Sequence, residues 1–523
     1  MSVGPKIKRL VDLVDRGPED DIFFPASSND TLFRRLWPTY HNVVPDVVEI
    51  GYQGSAAWGG RITVNLKHKE LGDLVNWICI RIKPSSWLGA DIESKLLSGD
   101  WSYSDPTQTS DTDPGYVEAQ ERANNAWMWA ASLGTAAIQK VEFEINDTTV
   151  ETWGGEWMDI WSRAWMDGGR AAVWDSDIYG QIPSWEAHDN KRPPWTTFLP
   201  TSDGYVYCWL PLAFFRRPQT AFPLVALSEQ QQVRIHITFR PFTDVVRRRA
   251  IPRTNPCETP LGSTLLLYDY TGPTPIPRSF VLPTTVPGFE EVSIMAGVVH
   301  TEDHLRSAYM RVPLEMVYER VTQMIFDVPE GLARADEGPC RTVSMQLPLR
   351  ELNGPIKELF FFIRRRGVWG FNEWTNYGAL LEPALVATRQ EPTTETGEVT
   401  QITRQQPMLT NARLMVGNAP WQDEAEQWWR LEPGMAHRGG VRMAAGMVYG
   451  ITFGDGADWE IEDLQPAGTI NASRADMRLD LQINVPAPAP WEEGNALWSV
   501  HVFGIGVNWM RFVNGLAQPL FQD

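Results

Sequence analysis

The stretch QPAGTINASRADMRLDLQINV, residues 465–485, decides the fold. From 475 onward it alternates strictly. Ala475, Met477, Leu479, Leu481, Ile483 and Val485 interleave with Asp476, Arg478, Asp480, Gln482 and Asn484. A strand turns successive side chains to opposite faces, so one face is buried and the other is wet, as in antiparallel sandwiches. The residues before it, with Pro466 and Gly468, read as a turn. Asn471, Ser473 and Arg474 are expected to bond loop backbone there and fix the entry of the strand. Asn471-Ala472-Ser473 is also a glycosylation sequon, as are the sites at Asn29 and Asn146. Without a secretory context, chance occurrence is the plainer reading of all three.

The same period recurs upstream. Residues 61–67 (RITVNLK), 77–83 (WICIRIK), 141–145 (VEFEI) and 233–240 (VRIHITFR) all alternate apolar with polar. Residues 6–15 instead carry Ile7, Leu10, Val11 and Val14 at helical spacing and predict a short N-terminal arm. Long polar or proline-rich stretches at 84–124, 241–287 and 388–407 have no period.

Two segments echo two others. KELGDLVNWICIRI (69–82) resembles RELNGPIKELFFFI (350–363), an offset of 350 − 69 = 281. VEFEINDTTVETWGGEWMDI (141–160) resembles ARLMVGNAPWQDEAEQWWRL (412–431), an offset of 412 − 141 = 271. Same order and similar offset point to duplication of one unit of about 230 residues. Two tandem antiparallel sandwiches follow, of jelly-roll or immunoglobulin-like type. The proline-rich run predicts the division: an arm at 1–20, a first sandwich at 21–250, a linker at 251–287 and a second sandwich at 288–523.

The chain of 523 residues has a formal charge of −19, which repels a nucleic-acid backbone, so direct DNA binding is not expected. The basic run Arg247-Arg248-Arg249 reads as a solvated loop. Cys79, Cys208, Cys257 and Cys340 form no CxxC pair, so neither a zinc cluster nor an oxidising compartment is called for. The N-terminus lacks an apolar signal core, and cytoplasmic synthesis is the expectation.

Three constellations could carry chemistry. VVHTEDH spaces His300 and His304 like a helical zinc motif, but Glu302 is displaced from the motif position; a helix cap formed by Thr301, Asp303 and His304 is the simpler reading. EWMDIW offers Glu156 and Asp159, a spacing that would suit a glycan-hydrolysing carboxylate pair. However, Trp157, Ile160, Trp161 and Trp165 recur at helical spacing, which predicts an amphipathic helix with tryptophans inward and acids in water. No phosphate loop or nucleophile motif occurs. The expectation is therefore no catalytic residue, no metal and no cofactor.

Five segments together resemble the double jelly-roll major capsid proteins of nucleocytoplasmic large DNA viruses. They are DIFFPASSNDTLFRRLWPTYHN (21–42), IQKVEFEINDTTVETWGGEWMDIW (138–161), YCWLPLAFFRRPQTAFPLVALSEQQQVRIHITFR (207–240), KELFFFIRR (357–365) followed by NEWTNYG (372–378), and QPAGTINASRADMRLDL (465–481). On them lie the motif positions Trp157, Trp161, Pro211, Arg217, Pro223, Pro466, Gly468, Asn471, Ser473 and Arg474. The loops at 84–124 and 241–287 have no counterpart in that pattern, and the 24 tryptophans are more than it requires. The resemblance implies an all-β chain: two tandem eight-stranded antiparallel jelly-roll sandwiches with long loops and a few short helices. It also implies a homotrimeric pseudo-hexagonal capsomer in the shell of a virion assembled in the host cytoplasm. The partners would be neighbouring capsomers, minor capsid and penton proteins, and an internal membrane or its proteins, with no direct nucleic acid. A carbohydrate-binding or glycan-hydrolysing sandwich is the alternative from the paired acids and tryptophans.

Overall fold

The computed structural model describes residues 42–85, 126–130, 132–166, 204–216, 220–249, 288–328, 340–365, 374–378, 406–437, 446–454, 468–486 and 498–520, with short pieces at 268–269, 276–277 and 443. The predicted arm, the first resemblance segment up to 41 and most of the long loops lie outside these residues.

Sixteen principal strands build two sandwiches. The first uses β1 (Val43–Ile50), β2 (Arg61–Leu66), β3 (Leu74–Pro84), β4 (Ile138–Ile145), β5 (Thr148–Trp153), β6 (Val206–Trp209), β7 (Val233–Phe239) and β8 (Phe289–Thr301). The second uses β9 (Leu314–Asp327), β10 (Cys340–Pro348), β11 (Pro355–Arg365), β12 (Leu409–Val416), β13 (Ala419–Ala425), β14 (Tyr449–Thr452), β15 (Met477–Pro486) and β16 (Trp498–Val513). Helix α1 (Gly155–Trp165) follows β5, α2 (Asp303–Arg311) joins the sandwiches, and α3 (Glu426–Ala436) follows β13.

Connectivity repeats strand for strand. The first sandwich faces β1-β8-β3-β6 against β2-β7-β4-β5. The second faces β9-β16-β11-β14 against β10-β15-β12-β13. In chain order each reads 1-8-3-6 over 2-7-4-5, the jelly-roll arrangement; the immunoglobulin-like option is set aside. The echoes in sequence map onto this repeat. β3 and β11 are offset by 355 − 74 = 281 residues. Cross-strand pairs Val141↔Trp153 and Phe143↔Glu151 recur 271 later as Ala412↔Glu424 and Leu414↔Gln422.

The alternating strands bury the face their period predicts. Met477, Leu479, Leu481, Ile483 and Val485 of β15 are all under 3% exposed. Ile235 and Ile237 of β7 are fully buried between β2 and β4. At the β4–β5 hairpin, Asn146 and Asp147 take φ of +48° and +63°, the left-handed pair that a two-residue turn needs. Cys79 and Cys208 are free and buried, and burial pushes the Cys79 thiol up to about 12.

The division between the sandwiches differs from the sequence expectation. β8, placed by the sequence in the second sandwich, is hydrogen bonded between β1 and β3 of the first. The proline-rich run at 251–287 therefore interrupts the first sandwich between β7 and β8, and the crossing is made by α2. Prolines mark a break in pairing, and here pairing resumes after the break in the same sandwich, at β8.

Candidate functional site

No three His, Cys, Asp or Glu side chains among the described residues converge on a metal position. The concentration of buried charge lies elsewhere, along the seam where the two sandwiches meet.

Edge strands β5 and β9 meet in parallel at Thr152↔Thr322, fusing two sheets into one that crosses both sandwiches. Glu151 of β5 is 2% exposed and accepts hydrogen bonds from the Ala213 and Val321 amides at 2.9 and 2.8 Å. Arg216 closes the arrangement. It donates to Glu151, to the Pro211 carbonyl at 3.0 Å and to the Glu319 carbonyl of β9 at 2.6 Å. One carboxylate and one guanidinium thus saturate each other while bridging both halves of the chain.

Helix α1 continues the seam. Trp157 stacks on Phe503 of β16 at 5.8 Å and donates to the Pro211 carbonyl at 3.4 Å. Trp165 meets Phe360 of β11 edge-on at 6.0 Å. Glu156 accepts from Arg240 of the first sandwich at 3.1 Å and from Arg364 of the second at 2.8 Å. Burial pushes its carboxyl up, but the Arg240 and Arg364 guanidinia outweigh this and hold it well below the usual carboxylate range. His501 beside Arg364 is driven down to about 3 by burial and by that cation, so it is neutral at physiological pH. Trp374 lies 3.6 Å under the Arg240 guanidinium. Asp159 accepts from Arg163 and from Tyr377, each at 2.8 Å.

Two expectations are corrected here. The acids of α1 were expected in water, but Glu156 and Asp159 are only 7% and 6% exposed. The helix is covered on its outer face by the second sandwich, so its acids are paired in the seam. For the same reason they are not a glycan-cleaving pair, and the carbohydrate reading is not supported. Thr301 was expected to cap α2. The cap position is Glu302, with no side-chain cap bond, and the Thr301 hydroxyl donates to Asp73 at 2.8 Å.

Asp73 is the clasp on the connecting helix. Its carboxylate, 1% exposed, also takes the Thr301 amide at 2.7 Å, Arg306 of α2 through two nitrogens at 3.0 and 3.1 Å, and His68 at 3.0 Å. Burial raises its pKa, but Arg306 and these further donors hold it well below the usual value. Asp73→Asn is expected to cost about 1–3 kcal/mol at neutral pH in denaturant unfolding. A carboxylate held low stabilises above its ordinary pKa of 3.8 and loses that contribution as pH falls below it. The gap between wild type and variant is therefore expected to narrow in acid.

A second titrating group sits on α3 itself. Glu432 accepts the Thr452 amide at 3.0 Å, and burial raises it to about 7. The ionised Glu358 nearby, itself paired with His437 and Lys357 at 3.3 and 3.2 Å, adds to that rise. A raised carboxyl stabilises the fold fully below its ordinary 4.5 and loses this as pH climbs to 7. Glu432→Gln is expected to match wild type in acid and to gain on it by up to about 3 kcal/mol above pH ~7. Thermal unfolding across pH checks this.

The motif positions divide between seam and strand entry. Trp157 and Pro211 meet in the seam, Trp161 is 4% exposed on the same helix, and Pro223 pairs with Leu74 beside β3. Gly468 has φ of +90°, and a Cβ there would lie 2.6 Å from the Phe453 carbonyl oxygen. Asn471 accepts the Ser473 amide at 3.1 Å, and Ser473 accepts the Gly354 amide at 2.7 Å. The Arg474 amide donates to the Asn471 carbonyl at 3.2 Å. Arg217 and Pro466 lie outside the described residues. The seam groups Glu151, Arg216, Arg240 and Arg364 were not singled out by sequence reasoning. Their partners are 65 to 208 residues away, so no local pattern marks them.

Comparison with known proteins bears on this architecture. Residues 31–256 match the family described as "Major capsid protein N-terminus". Over 245 residues the chain is 23% identical to "Capsid protein 1" of Acanthamoeba polyphaga mimivirus, covering 44% of this chain and 34% of that protein. The match thus spans about a third of that relative's length. Among solved structures, the VP54 protein of PBCV-1 superposes with a TM-score of 0.59 at 14% identity, over 94% of this chain and 100% of that one. The Faustovirus major capsid protein gives 0.59 at 11% identity, over 92% and 93%. The chain is therefore similar to major capsid proteins of large DNA viruses in sequence over its first half. In fold it is similar over nearly its whole length, as a double jelly roll.

Proposed function

We propose that this chain is the major capsid protein of a large double-stranded DNA virus. In this reading it is a building block whose homotrimers tile an icosahedral shell as pseudo-hexagonal capsomers. One observation carries it: two jelly rolls of identical connectivity are fixed edge to edge by a seam of buried, paired charges. A rigid tandem pair makes one chain count as two sides of a polygon, and three such chains close a six-sided ring. An enzyme would expose its charged pairs to substrate, whereas Glu151, Glu156 and Asp159 are spent on holding the halves together.

The partners are copies of the same chain within and between capsomers, together with minor capsid and penton proteins and an underlying membrane or its proteins. Assembly takes place in the host cytoplasm, and the net charge of −19 suits a shell that does not bind the genome directly. We assign it no enzymatic activity. Peptide mass spectrometry of purified particles tests the reading. This chain is expected as the dominant protein of the shell fraction; its absence from particles, or presence only in traces, would overturn the proposal.

A further inference from the structure

The internal repeat supplies a template for a surface that the chain itself leaves uncovered. Helices α1 and α3 are equivalent at an offset of 426 − 155 = 271 residues. On α1 the stripe Glu156, Ile160 and Ala164 is buried at 7%, 0% and 0%, on a helix whose Glu156, Trp157 and Trp165 contact the second sandwich. The equivalent stripe on α3 is Gln427, Leu431 and Met435. Gln427 is exposed, Leu431 is 43% exposed and Met435 is 83% exposed. The preceding strand repeats the contrast: Val150 of β5 is 4% exposed, while its equivalent Trp421 of β13 is 55% exposed. Four equivalent positions are thus closed in one repeat and open, mostly apolar, in the other.

What closes the first set is known in detail. α1 lies on the outer face of β11, formed by Glu358, Phe360, Phe362 and Arg364. Leu359, Phe361 and Ile363 point the other way, into the core. At the offset of 281, the same outer face of the first sandwich is formed by Trp77, Cys79, Arg81 and Lys83 of β3, while Ile78, Ile80 and Ile82 point inward. This face is partly open and apolar at its centre. Trp77 stacks on Trp209 at 4.8 Å, and Val47 of edge strand β1 is 52% exposed beside it.

We infer that the open stripe of α3 docks on the outer face of the first sandwich of a second copy of this chain, with strand β13 against its edge strand β1. The contact repeats, between chains, the contact that α1 and β5 make within one. It is heterologous: each chain offers α3 at one end and the β3 face at the other, so neither surface is left over when a ring closes. The apolar character of Leu431, Met435 and Trp421 on one side, and of Val47 and Trp77 on the other, suits an interface core. The inference rests on the capsid reading, and it assigns that reading's chain-to-chain surface to specific residues.

The seam fixes which positions should touch. Glu156 and Arg364 are 2.8 Å apart, and their equivalents are Gln427 and Lys83. Chains carrying only Gln427→Cys and chains carrying only Lys83→Cys are co-assembled, treated with a short bismaleimide and digested. A peptide joining position 427 of one chain to position 83 of another is expected, with covalent dimers formed only in the mixture. In a separate variant, Leu431→Glu with Met435→Glu is expected to lower oligomer formation at least tenfold while leaving the thermal unfolding of the single chain unchanged. Oligomers of the mixed cysteine variants that do not link 427 to 83, or oligomers that persist in the double glutamate variant, overturn this surface and leave the capsid reading standing. A wild-type chain that stays monomeric at all concentrations overturns both.

Discussion

Leu479→Asp is expected to leave no soluble, cooperatively folded protein. Leu479 sits in mid-β15, paired with Leu347 of β10 on one side and Leu414 of β12 on the other, and its side chain is fully buried. A carboxylate there would lie between the leucines of the two flanking strands, out of reach of water. Burying an unpaired charge costs several kcal/mol at least, against a total stability of about 5–15 kcal/mol. The next residue is the control. Asp480 points to the other face, where it accepts from Arg478 at 2.7 and 3.0 Å in a partly exposed pair. Asp480→Asn is expected to cost under about 1 kcal/mol. Soluble yield and thermal unfolding of the two variants side by side check the register, because a slip of one residue would exchange their phenotypes.

Arg216→Met is expected to be the most damaging change along the seam. It removes the guanidinium that pairs with Glu151 and leaves the carboxylate buried with two backbone amides. It also frees the carbonyls of Pro211 and Glu319. Breaking one side of a buried pair costs about 3–5 kcal/mol, because the remaining charge is uncompensated. Pairing it with Glu151→Leu is expected to restore part of that loss, since removing both charges removes the desolvation penalty too. Hydrogen exchange places the damage: amides of β5 and β9 are expected to lose protection first, ahead of β2 and β15 in the sandwich cores. Equal loss everywhere would mean that the seam and the cores unfold as one unit.

Strands with one wet face were legible because the period of two survives in them; β2, β4, β7 and β15 are found where alternation put them. The second sandwich's inner strands were harder. In β11 the run Leu359-Phe360-Phe361-Phe362-Ile363 is buried on both faces, one by the core and one by α1, so its apolar residues do not alternate. β16 is similar: its polar Ser499 and His501 are buried too. The repeat itself was readable, since the two echoes at 281 and 271 correspond to β3 with β11 and to β4 through α1 with β12 through α3. The division was misplaced because prolines signal a break in pairing without saying whether a sheet resumes afterwards, and β8 does resume it. Apart from Glu156 and Asp159, which their spacing marked, the ionic seam left no local trace. Its members are ordinary charged residues whose meaning depends on a partner more than sixty positions away.

Electron cryo-microscopy of the purified, assembled protein tests the central claim most directly. Three chains are expected to form one ring of six sandwich-sized lobes. Within each chain the two lobes should be joined through β5 and β9, and between chains α3 should lie on the β3 face. A monomer with two independently moving lobes, or an assembly that leaves the α1 seam open, would contradict the account.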